Sequence, residues 1–231
     1  IMWSNKNKAV TFSFDDGIIQ DKKVIEILNK YNLKGTFNLN SALLGLKGEV
    51  AFRGAKASHD RIAACDVKRV YEGQEVAAHT LTHASLTELD DDTIAYQVEK
   101  DRLILSELCG YEVVGMAYPY GAADDRVVNI IKNKTRIMYA RTSARTDELG
   151  VPQNLFGFNP NVRYIEENRF YDMAQRFLSA PENEKSLLYI WGHSYEMDLN
   201  LISWEKFEEF CKYISKRTEI FYGTNKEVFG L

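Results

Sequence analysis

The chain has 231 residues, 45% of them apolar and 27% charged, which is enough for one sizeable core and fits a single domain over residues 1–231. Lys and Arg number 29 against 33 Asp and Glu, and a net charge of −4 excludes the electrostatic footprint of a general nucleic-acid binder. Mean hydropathy is −0.34 and no run approaches the roughly 18 consecutive apolar residues of a membrane span.

Cys65, Cys109 and Cys211 are widely spaced and never form CxxC, so neither a disulfide framework nor a structural zinc knuckle is indicated, and buried free thiols are expected. Ile1-Met2-Trp3-Ser4 shows neither a basic start nor an apolar signal run. A chain opening at Ile is compatible with the absence of upstream residues, and both a cytoplasmic and a processed extracellular location fit it.

Ala9 to Phe14 is a short β-branched and aromatic run that stops at Asp15-Asp16-Gly17, a strand ending in a turn. Val24, Ile27, Leu28 and Tyr31 then fall at helical spacing, and Gly35 to Leu39 reads as a second strand, giving a β-α-β opening. Residues 41–59 lack periodicity and are expected to form an excursion, a flap beside a site. Alternation resumes with a helix at 66–71, a strand at 74–78, a long helix at 91–108, strands at 113–117 and 137–140, and helices near 124–132 and 168–178. A strand at 187–191, a helix striped by Trp204, Phe207, Cys211 and Ile214, and a closing strand at 220–222 complete the reading. Strands alternating with helices predict an α/β fold with a mainly parallel sheet, and periodicity leaves an open doubly wound sheet and a barrel equally available.

Two of the four histidines lie four residues apart, in His79-Thr80-Leu81-Thr82-His83, directly after a predicted strand. Imidazoles at i and i+4 can face one side of a helical turn, and a catalytic divalent ion would need a carboxylate besides, from Asp15 or Asp16, and an open position. Both segments sit at strand C-terminal ends, where α/β folds assemble their sites. Taken singly, each has a plainer explanation: an exposed histidine pair, and ordinary Asp-Asp-Gly turn chemistry.

Together the motifs resemble the polysaccharide deacetylases, the NodB-like carbohydrate esterases. Their T-F-D-D-G motif corresponds to Thr11-Phe12-Ser13-Phe14-Asp15-Asp16-Gly17, their H-[ST]-x-x-H to His79 through His83, and their A-T-F to Gly35-Thr36-Phe37. R-P-P-Y-G corresponds to Ala117-Tyr118-Pro119-Tyr120-Gly121, and an apolar strand ending in His to Leu187 through His193. The resemblance implies a distorted (β/α) barrel and one divalent ion, zinc by default, with cobalt, nickel, manganese and iron also compatible. It implies Asp16, His79 and His83 as ligands, Asp15 as general base, His193 as general acid, and the backbone N–H of Tyr120 as oxyanion donor. An ion held by one carboxylate and two neutral imidazoles keeps Lewis acidity and an open position.

Two departures stand out. The arginine that opens the third motif in the family is Ala117 here, and Arg141 is the candidate substitute. The family's Asp-Trp element supporting the acid histidine has no match, and Glu196 is the candidate to bond His193 or the substrate. Tyr118, Tyr120, Trp191 and Tyr195 offer faces for sugar stacking, with barrel packing as the plainer role. His59 matches no motif and is expected at the surface or beside a helix start.

The leading expectation is removal of an acetyl group from an N-acetylated sugar: chitin oligomers, peptidoglycan or smaller N-acyl amino sugars, with acetylated xylan as an ester counterpart. The alternatives are an esterase or amidohydrolase on another acyl substrate, and a carbohydrate-binding relative that has lost catalysis.

Overall fold

The computed structural model describes residues 2–231; Ile1, part of the opening segment considered above, lies outside the described residues. In chain order the elements are β1 Lys8–Asp15, α1 Asp21–Lys30, β2 Gly35–Leu39, β3 Glu49–Phe52, β4 Ala55–Ser58, α2 Val67–Val70, β5 Glu75–Ala78 and α3 Asp91–Cys109. There follow β6 Gly115–Ala117, α4 Asp125–Lys134, β7 Tyr139–Arg141, β8 Val162–Arg163, α5 Glu167–Leu178, β9 Ser186–Gly192, α6 Tyr195–Asp198, α7 Trp204–Ile214, β10 Ile220–Tyr222 and α8 Asn225–Phe229.

The main sheet runs β7-β6-β5-β2-β1-β9-β8, with every neighbouring pair parallel, and β10 lies beside the first residues of β1. Between β7 and β8 the chain travels from 142 to 161 in irregular structure, touching the sheet through a bridge from Arg141 to Phe158 and through backbone hydrogen bonds from the Ala140 amide to Leu155 and from the Leu187 amide to Leu149. The sheet therefore curls into an incompletely closed barrel, which resolves the choice that periodicity left open.

Strand β1 shows how the sequence builds both sides of this sheet. Val10, Phe12 and Phe14 alternate outward into the core beneath the helices, where Phe12 and Phe14 meet the edge of Phe207 on α7. Thr11, Ser13 and Asp15 alternate inward and are buried and polar, so each needs a partner inside the barrel. At the end where β1 starts those partners come from α8. Thr11 donates to Asn225 Oδ1 at 2.9 Å, Asn225 Nδ2 donates to the Tyr189 hydroxyl at 2.6 Å, and the Asn225 amide donates to Thr36 Oγ1 at 2.8 Å. With Val228 and Phe229 buried among Trp3, Tyr139 and Phe158, α8 plugs this end, leaving the strand C-termini as the mouth.

The excursion at 41–59 contains a hairpin the sequence reading did not resolve. Strands β3 and β4 pair antiparallel around Arg53-Gly54, whose φ values of 49° and 85° give the twist that two-residue hairpins favour. The short β8 and the helices α6 and α8 were likewise not predicted. Cys109 and Cys211 are buried as expected, whereas Cys65 is exposed, because it lies on the short helical turn leading into α2 and not on a core-facing stripe.

Candidate active site

At the mouth, β1 ends in Asp15 and the chain reverses with positive φ at Asp16 (86°) and Gly17 (65°). The Asp15 carboxylate is buried, its Oδ1 accepting from Asn38 Nδ2 at 2.8 Å and from Arg141 Nη2. Arg141 is itself buried, at the end of β7 and in register with Ala117 on β6, so a guanidinium enters from the neighbouring strand at the level where the family's third-motif arginine would stand. Its guanidinium carbon lies 4.8 Å from the Trp191 ring centroid, a cation–π contact that fixes its plane. Burial pushes the Asp15 pKa up, but the Arg141 charge, with His79 and His193 behind it, outweighs that and leaves it lowered.

Asp16, His79 and His83 converge beside it, with one donor atom from each all within 4.8 Å of one another. Asp16 Oδ1 lies 3.6 Å from His83 Nε2 and 4.0 Å from His79 Nε2, and this buried oxygen accepts no hydrogen bond. His79 Nδ1 is 2.7 Å from the Ala117 carbonyl, which can only accept, so that nitrogen carries the proton and the Nε2 lone pair points at the cluster. Desolvation lowers the pKa of both imidazoles, that of His83 to about 4, so both are neutral near pH 7. An orphaned carboxylate oxygen facing two lone-pair nitrogens fits a divalent cation with mixed N/O preference.

The histidine spacing is not realised as the helical turn it allows. Residues 79–83 form an irregular turn with φ of 63° at Thr80 and 60° at His83, tied by the Ala84 amide donating to Thr80 Oγ1 at 2.9 Å. This turn, with its two positive-φ residues, brings the two rings to 4.8 Å, edge to face.

On the opposite side His193 follows β9. Its Nδ1 lies 3.2 Å from Glu196 Oε1 and its amide donates to Glu196 Oε2 at 3.1 Å. Glu196 is fully buried on α6 and also accepts from Arg163 Nη2. Desolvation lowers the His193 pKa, but the Glu196 hydrogen bond and charge outweigh it and hold it above the ordinary value. Gly192 is required here: a Cβ would overlap the Tyr164 ring and stand 2.8 Å from Glu196 Oε2. A glutamate three residues on, backed by an arginine from β8, thus stands where the missing Asp-Trp support was sought.

These groups line one cavity of about 330 Å³ with Trp191, Tyr118, Tyr120 and Tyr195 on its walls. Tyr118 is buried and its hydroxyl donates to the Phe156 carbonyl at 2.8 Å, so it braces the wall. Tyr120 is 71% exposed, sits at φ 60°, and meets the His83 ring edge-on. Tyr195 stacks on His193 with ring centroids 5.1 Å apart.

The surface placement expected for His59 is wrong. The segment after the hairpin runs antiparallel beside residues 17–19, through an Ile18–Arg61 bridge, and carries His59 to 3.0 Å from Asp16 Oδ2. Arg61 bonds the Asp16 carbonyl and Asn40 Oδ1. The sequence reading also missed Asn38 and Arg163. Arg163 lies in a two-residue strand with no pattern to read, whereas Asn38, an inward polar residue on a β-branched and aromatic strand, was a usable signal.

A polysaccharide deacetylase family model matches residues 4–136, more than half of the 231 residues, and the chain belongs to that family. A peptidoglycan-N-acetylglucosamine deacetylase of Listeria monocytogenes is 27% identical over 128 residues, 54% of this chain and 24% of its own, so the chain spans about a quarter of the length of that curated relative. Among solved structures, the carbohydrate esterase domain of a multidomain xylanase from the hindgut metagenome of Trinervitermes trinervoides is 18% identical, with a TM-score of 0.60 over 97% of this chain and 90% of the other. A pseudoenzyme of the same esterase family from Bacillus anthracis is also 18% identical, with a TM-score of 0.55 over 97% of this chain and 66% of the other. These likenesses establish the fold as the deacetylase (β/α) barrel.

Proposed function

We propose that this chain is a metal-dependent deacetylase that hydrolyses the N-acetyl group of an amino sugar within a polysaccharide. The observation that carries the reading is the unpartnered Asp16 Oδ1 facing the Nε2 atoms of His79 and His83, in the cavity that Asp15 and His193 also line. Asp16, His79 and His83 would hold the ion, which supplies Lewis acidity toward the acetyl carbonyl and acidifies water.

The chain's own groups divide the proton work. Asp15, kept ionised by Arg141, takes a proton from the attacking water as its oxygen bonds to the acetyl carbon. The backbone N–H of Tyr120 is assigned to the developing oxyanion. His193, whose protonated form Glu196 favours, donates its proton to the amide nitrogen as the C–N bond breaks, releasing acetate and a free amine. One lowered and one raised pKa in one cavity is the separation that acid–base catalysis needs.

Membership of the family and the name of the Listeria relative favour an N-acetylglucosamine polymer such as peptidoglycan. A second cavity of about 370 Å³ shares Arg163 and Tyr195 with the first and continues to Phe52 and Arg53 on the hairpin and Leu199 and Leu201 beyond α6. It is proposed to hold the neighbouring sugar, with Phe52 as its stacking face. Arg141 beside Asp15 weighs against the catalytically silent reading, which Ala117 alone would favour.

The test compares acetate release from N-acetylglucosamine oligomers and from acetylated xylan with zinc added. Turnover of the oligomers supports the reading; turnover of the xylan ester alone would make the chain an esterase and overturn it.

A further inference from the structure

The two Asp16 carboxylate oxygens face different parts of the chain, and only Oδ2 has a hydrogen-bond partner. Oδ1 faces the two imidazoles, whereas Oδ2 lies 3.0 Å from His59 Nε2. An ionised carboxylate only accepts, so His59 Nε2 carries the proton and donates it. His59 and Arg61 are two residues apart on an extended segment, hence on one face of it, and that segment lies along the turn containing Asp16. Arg61 holds the Asp16 backbone carbonyl and its Nη1 stands 3.4 Å from Oδ1 without a hydrogen bond to it, while His59 makes the side-chain hydrogen bond at Oδ2.

The segment is itself fixed at several points. The Ile19 amide donates to the Asp60 carbonyl at 2.9 Å, the Ile62 amide to the Gly17 carbonyl at 2.9 Å, the His59 amide to the Gly48 carbonyl at 2.8 Å, and Gln20 Nε2 to the Ser58 carbonyl at 2.8 Å. The edge of Tyr195 rests against the His59 ring with centroids 5.3 Å apart. A ring so placed has little freedom to leave Asp16.

We infer that His59, delivered by the β3–β4 excursion, is a positioning residue for the metal: its hydrogen bond to Asp16 Oδ2 fixes the carboxylate rotamer that aims Oδ1 at the cation. The inference rests on the metal-dependent reading above. His59 holds a ligand from behind and does not itself ligate, since its nitrogen faces the oxygen turned away from the two imidazoles. Removing such a partner characteristically weakens metal binding about 10- to 100-fold.

The experiment titrates zinc into metal-stripped wild type, His59→Leu and His59→Gln, with circular dichroism confirming the fold of each. Gln can place an amide N–H near the position of imidazole Nε2. The expected result is zinc affinity about 10- to 100-fold weaker in the Leu variant and largely restored by Gln. Cobalt-loaded Leu variant should keep the wild-type ligand-field band positions, since no ligand has been removed. Wild-type zinc affinity in the Leu variant, or equal weakening in both folded variants, would overturn the assignment, as would cobalt bands showing the loss of an imidazole. Wild-type protein that binds no zinc would instead overturn the functional reading itself, and this assignment with it.

Discussion

Arg141 and Asp15 form a buried ion pair that ties the end of β7 to the end of β1 across the barrel mouth, with side chains only 1% and 4% exposed. The pair brings charge to the Asp15 carboxylate from β7, where Arg141 stands in register with Ala117 on β6.

Arg141→Met should leave Asp15 as a buried charge without its counter-ion, costing about 3–5 kcal/mol of stability at neutral pH. Because the folded Asp15 pKa is depressed, the stabilisation it brings is present above its unfolded value and is lost as pH falls through the folded one. Without Arg141, burial raises the folded Asp15 pKa, so urea unfolding across pH should show the gap between wild type and variant narrowing as pH falls through the variant's raised pKa and closing below the wild type's lowered one. The acid limb of activity should also move to higher pH in the variant. A gap independent of pH would mean that Arg141 acts only through packing.

The two adjacent aspartates should separate cleanly. Asp15→Asn should keep metal and lose about 10²- to 10⁴-fold in kcat, the usual worth of a general base, whereas Asp16→Asn and His79→Ala should lose metal first. Elemental analysis of the purified variants, paired with acetate release, checks this. Equal metal loss in Asp15→Asn and Asp16→Asn would show the roles to be misassigned.

Glu196 holds the His193 pKa above the ordinary histidine value of about 6.5, which extends to higher pH the range in which His193 can serve as the proposed general acid. Glu196→Gln removes the anion and leaves desolvation unopposed, which should draw the alkaline limb of the pH profile to lower pH. A rate loss with an unmoved limb would make Glu196 a structural brace only.

Phe52→Ala at the hairpin tip should raise KM for N-acetylglucosamine oligomers while leaving turnover of the shortest substrates nearly unchanged, since Phe52 lines the adjoining cavity and not the catalytic one. Loss of an aromatic face packed on the apolar face of a sugar ring is expected to cost about 0.5–1.5 kcal/mol, or roughly twofold to twelvefold in KM. Equal effects on short and long substrates would place the neighbouring sugar elsewhere.

Legibility in the sequence followed locality. The longer strands and helices announced themselves by periodicity, whereas the β3–β4 hairpin and the short β8, α6 and α8 did not, and Asp15, Asp16, His79, His83 and His193 stood in short motifs at strand ends, where the fold gathers its chemistry. His59 was invisible because its position depends on an antiparallel bridge between residues 18 and 61, inside an excursion without pattern. Arg163 was invisible because a two-residue strand has no periodicity, and its partner Glu196 was legible only because His193 stood three residues before it. The conformation of 79–83 was not legible either: i,i+4 spacing allows a helical turn, and spacing alone cannot distinguish that from a turn with two residues of positive φ.

The most direct measurement is acetate release from N-acetylglucosamine oligomers by metal-stripped protein during stepwise zinc addition. The account predicts no release without metal and activity that rises to a plateau at one equivalent. Full release by stripped protein, or silence at one bound equivalent of zinc, cobalt or manganese, would contradict it.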